Sequence, residues 1–135
     1  VVIGLDRRFG WSSMPVWLNL AGVALFIPAC ALLSWAMAVN QHFETTVLIR
    51  MDGRQRVVSS GPYRLVRHPG YLAALICAVS YPLILGSWAG FAPTSLFFPL
   101  FIVRTALEDR ALCRELPGYQ QYTATTRARL LPRVW

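Results

Sequence analysis

The sequence predicts an all-α integral membrane helical bundle. About three transmembrane helices are expected, two of them paired as a helical hairpin, with a cytosolic amphipathic helix at the C-terminal end. Three observations carry that expectation. Hydrophobic residues make up 56% of the 135 residues and charged residues 14%, more apolar matter than a globular core of this size absorbs. The apolar residues are concentrated in three uncharged runs. The charges, thirteen arginines with no lysine against six acids, gather at the ends of those runs.

The chain opens "VVIGLDRRFGWSS", without Met and with its charges after its apolar residues. That order is wrong for a signal peptide. It reads as the end of an apolar segment followed by a loop, so an upstream N-terminal segment is expected to be missing from this sequence. Val16 to Val39 is the clearest span, 24 residues with no charge and Asn19 as its most polar member. Its length suits a hydrocarbon core of ~30 Å. Trp17 and Trp35 stand near its two ends as interfacial anchors, and Pro28 predicts a kink.

Residues 40–70 form the only long polar segment. A turn signal at Asp52-Gly53, flanked by β-branched patches, predicts a short hairpin or an amphipathic interfacial stretch. The second and third spans, 71–86 and 88–103, are uncharged and separated only by Ser87. They predict a hairpin bent by Pro82, Pro93 and Pro99. From Arg104 the chain turns charged: a helical pattern runs to "LPG" at 116–118, and a shorter tail follows.

The hairpin puts the central segment, with five arginines, on the same side as the C-terminal part, with six. The positive-inside rule makes that side cytoplasmic. The basic balance (pI about 10.2) does not imply nucleic acid, because the arginines do not form one face interleaved with aromatics. They are placed to meet headgroups of the lipid bilayer. Cys30, Cys77 and Cys113 stand singly and His42 is an interfacial polar residue, so no disulfide and no metal site is expected.

Two polar clusters flank the hairpin. In "GPYRLVRHPGY", Pro69 belongs in the first turn of the second span, and the helix start beside Arg64, Arg67 and His68 offers an anion or carboxylate site. The same residues also read as a capped helix start with arginines reaching to headgroups. In "RTALEDR", Arg104 and Glu108 stand one turn apart and can pair, while Asp109 points about 100° away. The hairpin brings both clusters to one membrane surface, where basic groups and acids together would suit a small zwitterion.

"GPYRLVRHPGY", followed by "EDRALCRELPGYQQY" and "RLLP", resembles the isoprenylcysteine carboxyl methyltransferase and phospholipid methyltransferase superfamily. The family pattern is an arginine, three residues, His-Pro, any residue, Tyr, any residue, Gly, then a hairpin and paired acids. Arg64, His68, Pro69, Tyr71, Glu108 and Asp109 match it over residues 58–133 of a single 1–135 domain. The resemblance implies a membrane-bound enzyme using S-adenosylmethionine to methylate a lipophilic or small acceptor, with its site facing the cytoplasm. It implies that His68, Pro69, Gly70, Tyr71, Leu72 and Ala73 line the cofactor and that Glu108 and Asp109 engage its amino and ribose groups. Arg67 and Arg104 are the catalytic candidates, with Arg64 and Tyr122 as weaker substrate contacts. Ala73 replaces the pattern's glycine and Asp109 its second glutamate.

Direct transfer fits the absence of an apparent Cys or Lys nucleophile. Carboxyl methylation of an isoprenylcysteine type competes with phospholipid N-methylation and small-thiol S-methylation. The rival from another class is a non-enzymatic membrane scaffold or transporter subunit, although the spans are nearly charge-free and no internal repeat is visible.

Overall fold

Helix is the regular structure that an apolar chain can form with every backbone group satisfied inside one segment. The computed structural model describes residues 1–40 and 57–132, and among them no strand occurs. Helix α1 covers Val2–Phe9, α2 Val16–Val39, α3 Pro69–Ile84, α4 Phe91–Glu115 and α5 Tyr119–Thr125, with a short 3₁₀ turn at Gly61–Arg64. The expected turn at Asp52-Gly53 and His42 lie outside the described residues.

Helix α2 has the boundaries its composition predicts, and Trp17 and Trp35 are both exposed near its ends. Its best window has a mean hydropathy of 2.1, yet only 11% of that window is buried against the rest of the chain. The core helix of a soluble protein would be covered by its own fold. An apolar helix left this bare requires an apolar surround, and by length and composition α2 can cross a membrane. Pro28 sits inside a continuous helix.

The hairpin differs in its arms from the sequence expectation. Helix α3 starts two residues earlier, at Pro69, because proline's fixed φ and missing N–H suit the first helical position. Helix α4 does not stop where the charges begin: it runs 25 residues, about 37 Å, straight from the apolar run through Arg104 to Glu115. The expected separate amphipathic helix is therefore the outer end of α4, with α5 as a short addition. This rigid extension carries Glu108 and Asp109 away from the apolar zone while fixing their directions.

Several polar groups inside the bundle are paired across helices. Pro82 frees the carbonyl of Ala78, four residues earlier, and Thr94 of α4 brings its hydroxyl to 3.3 Å from that oxygen. The last turn of α3 has carbonyls without intrahelical donors, and Asn19 of α2 donates to Leu83 O at 2.9 Å and Ile84 O at 3.2 Å. At the turn between α3 and α4, Ser12 and Ser87 donate to the fully buried Asp6, and Ser87 Oγ accepts from Gly90 N at 3.0 Å. At the other end Ala36, Tyr63, Leu116, Tyr119 and Tyr122 form a small core joining α2, the 3₁₀ turn and α5.

Helices α2 and α3 are in close contact at Gly22, where a Cβ would stand 2.7 Å from Ile84 N and Leu83 Cβ. Gly22→Leu should therefore cost about 1–3 kcal/mol, the usual penalty of forcing side chains into a filled contact. Gly4→Leu, with nothing within 4 Å of its Cβ position, should be neutral. Thermal melts of the detergent-solubilised variants check this, and coincident midpoints would contradict the close crossing.

Candidate functional site

The polar end of the bundle is organised around one carboxylate. Asp109 projects from α4 and is buried, 4% exposed. Its Oδ2 accepts from Arg67 Nη2 and from Arg129 Nε, both at 3.0 Å. Its Oδ1 accepts from the Tyr119 hydroxyl at 2.9 Å and lies 3.4 Å from His68 Nε2. Donors from the segment before α3, from α5 and from the tail thus converge on a single side chain. Burial by itself raises the Asp109 carboxyl, but the bonds from His68, Arg129 and Tyr119 and the charge of Arg67 outweigh it and hold the group well below the usual carboxylate range. Burial, then the charge of Asp109, pushes the Tyr119 hydroxyl far up, keeping it a donor.

Beside this hub lies a second group. Tyr71, in the first turn of α3, donates its hydroxyl to Glu108 and accepts from Arg104 Nε at 2.9 Å. The guanidinium of Arg104 stands 5.3 Å from the centre of the same ring. On its other flank the ring stacks parallel to His68, centroids 5.6 Å apart and 3° between planes, and Phe101 meets it edge-on. Arg104 and Glu108 share one face of α4 as their spacing predicts, and they meet through the Tyr71 phenol.

The structure brings together His68, Tyr71, Glu108, Asp109, Arg67 and Arg104, as the sequence expects, but distributes their partners differently. Arg67, the catalytic candidate, is buried with its guanidinium on Asp109 and Nη1 3.5 Å from Thr126 O. Two of the helix-start groups expected to receive an anion are already used: Arg67 N donates to Ala128 O at 2.9 Å and His68 N to Arg129 O at 3.0 Å. Tyr71 N and Leu72 N turn back to His68 O, each at 3.1 Å. Pro69, Gly70 and Ala73 are buried at the start of α3, Leu72 is half-buried, and Arg64 is exposed on the 3₁₀ turn. Tyr122 is buried and gives its hydroxyl to Tyr63 O at 2.6 Å; burial pushes that hydroxyl up to about 12. Its geometry is that of a lock between α5 and the 3₁₀ turn.

Tyr119 and Arg129 were not among the sequence-predicted site residues. Tyr119 opens α5 and Arg129 lies in the tail, where one of the two tyrosines of "PGYQQY" and an arginine in "RARLLP" look like ordinary interfacial residues. The matched "EDRALCRELPGYQQY" and "RLLP" point to that neighbourhood without singling out either residue. Among the described residues no cluster suited to a metal ion occurs. A shallow apolar opening between α1 and the end of α3, touched by Val2, Arg7 and Leu85, lies at the opposite end and gathers none of these groups.

Residues 22–114 match the isoprenylcysteine carboxyl methyltransferase (ICMT) family. The chain is also 27% identical over 97 residues to uncharacterized protein YpbQ of Bacillus subtilis (strain 168). That match covers 71% of this chain and 56% of the relative, so the chain spans little more than half the length of the curated protein it matches.

The sign of the Asp109 shift sets a pH dependence. A carboxyl lowered on folding contributes stability that is fully present above its ordinary value of 3.8 and is lost as pH falls from there through the folded value. Asp109→Asn leaves Arg67 buried without its counter-charge and should cost about 3 kcal/mol at neutral pH. Below pH 3.8 the wild-type chain should lose stability more steeply than the variant. Denaturation measured across pH 2 to 7 checks this, and parallel curves would contradict it.

Proposed function

The chain belongs to the isoprenylcysteine carboxyl methyltransferase family, and on that premise we propose that it transfers a methyl group from S-adenosylmethionine to a lipophilic or small acceptor at the membrane. The observation that carries the reading is the meeting of His68 and Tyr71 with Glu108 and Arg104 at one end of the α3–α4 hairpin. In this reading α2, α3 and the apolar part of α4 cross the membrane, and the arginine-rich end faces the cytoplasm.

The donor set fits the cofactor's chemistry. Glu108 is half-buried and offers a carboxylate to an ammonium or to ribose hydroxyls; Arg104 offers a guanidinium to a carboxylate. Tyr71 ties the two together, so acid and base are held in fixed relation before a zwitterion enters. Asp109 already takes four donors and is better suited to holding Arg67 and His68 in place than to meeting a ligand. When bound, S-adenosylmethionine supplies a methyl group on a sulfonium, which is intrinsically activated for transfer. The chain's own task is then alignment and exclusion of water. A carboxylate acceptor of the isoprenylcysteine type has no proton to lose, so no general base is required. Val103 and Leu107, exposed on α4 beside Arg104 and Glu108, give a lipophilic acceptor an apolar approach from the bilayer.

Calorimetry on the detergent-solubilised chain tests the reading. Glu108→Ala should weaken S-adenosylmethionine binding at least about tenfold, the loss of one charge-assisted contact, while Glu115→Ala, exposed at the end of α4, should not. A folded wild-type chain that binds no S-adenosylmethionine would sink the enzyme reading and favour a membrane scaffold.

A further inference from the structure

Residues 126–132, beyond α5, form no helix or strand, yet they are fastened at several points. Thr126 Oγ1 donates to Tyr63 O at 3.3 Å, and Thr126 O lies 3.5 Å from Arg67 Nη1. Ala128 O and Arg129 O accept from the amides of Arg67 and His68 at 2.9 and 3.0 Å. Arg129 Nε reaches Asp109, and Leu130 is buried, 4% exposed. A segment placed only by its own hydrophobicity would not match donors to acceptors in this way. Arg129 reaches both arms of the site: its carbonyl holds the residue preceding α3, and its side chain holds α4.

We propose that Thr126–Leu130 is a positioning strap, and that Arg129 is a positioning residue for the cofactor site. The inference rests on the methyltransferase reading above. Asp109 and Glu108 are neighbours on one rigid helix, so whatever fixes the direction of Asp109 fixes the rotation of α4 and with it the reach of Glu108 to Tyr71. Arg67 is sealed in the interior, its side chain 7% exposed, and supplies the permanent half of the charge on Oδ2. Arg129, at 31%, lies nearer the surface and supplies the half that the tail brings with it. The site is then complete only when the C-terminal segment lies across the start of α3.

The test uses the full chain in detergent and reads two quantities, S-adenosylmethionine affinity by calorimetry and amide exchange of the peptide containing Arg67 and His68. Arg129→Ala should weaken binding about tenfold or more, as loss of a charged hydrogen bond would, and should speed exchange of that peptide. Arg129→Lys, which keeps the charge beside Asp109, should recover part of the affinity. Arg114→Ala, exposed near the end of α4 and outside the strap, should change neither reading. In an Asp109→Asn background, Arg129→Ala should add little, because the route through Asp109 is already broken.

Wild-type affinity in a folded Arg129→Ala chain, with only its melting temperature lowered, would overturn the positioning role and leave a structural tail. So would full additivity of the two substitutions. If Arg129→Ala does not fold, Arg129→Lys decides: wild-type affinity with unchanged exchange overturns the strap, and intermediate values of both support it. If the wild-type chain itself binds no S-adenosylmethionine, the methyltransferase reading fails by that fact. The strap is then judged by exchange alone, where equal protection in the wild-type chain and Arg129→Ala overturns it.

Discussion

A single buried carboxylate organises the polar end of this protein. Asp109 cannot be desolvated alone, since a lone charge in a low-dielectric setting costs several kcal/mol. It is accommodated because Arg67, Arg129, Tyr119 and His68 converge on it. That requirement is mutual. Arg67 would be as costly without Asp109, and its partner sits 42 residues away on α4. The ion pair therefore dictates how α4 is rotated against the start of α3, and the pairing of Glu108 with Tyr71 follows from that rotation.

The same logic runs through the apolar part of the bundle on a smaller scale. A carbonyl buried without a partner is costly wherever it lies. Thr94 covers the oxygen freed by Pro82, and Asn19 covers the last carbonyls of α3. Ser12 and Ser87 converge on Asp6 at the far turn. These polar residues in the apolar runs thus tie one helix or turn to another. Between these points, contact is by small residues such as Gly22, which lets α2 and α3 touch backbone to side chain.

Much of this was legible beforehand because it depends on local chemistry. Val16–Val39 is a helix of that length because its run is uncharged and apolar, and Pro69 opens α3 because proline fits a first turn. The grouping of His68 and Tyr71 with Glu108 was also readable, since a hairpin of two apolar arms must return its flanks to one surface. Which arginine pairs with which acid was not. Arg64 and Arg67 are three residues apart in one motif, yet one is exposed and the other is buried on Asp109. The extent of α4 was misjudged for a related reason: the change from apolar to charged marks a change of solvent, and a helix crosses that boundary without a break.

The sequence by itself determined that the chain is helical, that its long apolar segments need an apolar surround, and that two polar motifs share one end. These follow from composition and periodicity, which are properties of neighbours in the chain. The tertiary structure alone decided that Arg67, His68, Tyr119 and Arg129 all converge on Asp109. Those assignments depend on which donors reach one carboxylate across three segments. Coulombic pairing is fixed by distance in space, and no spacing along the chain encodes it.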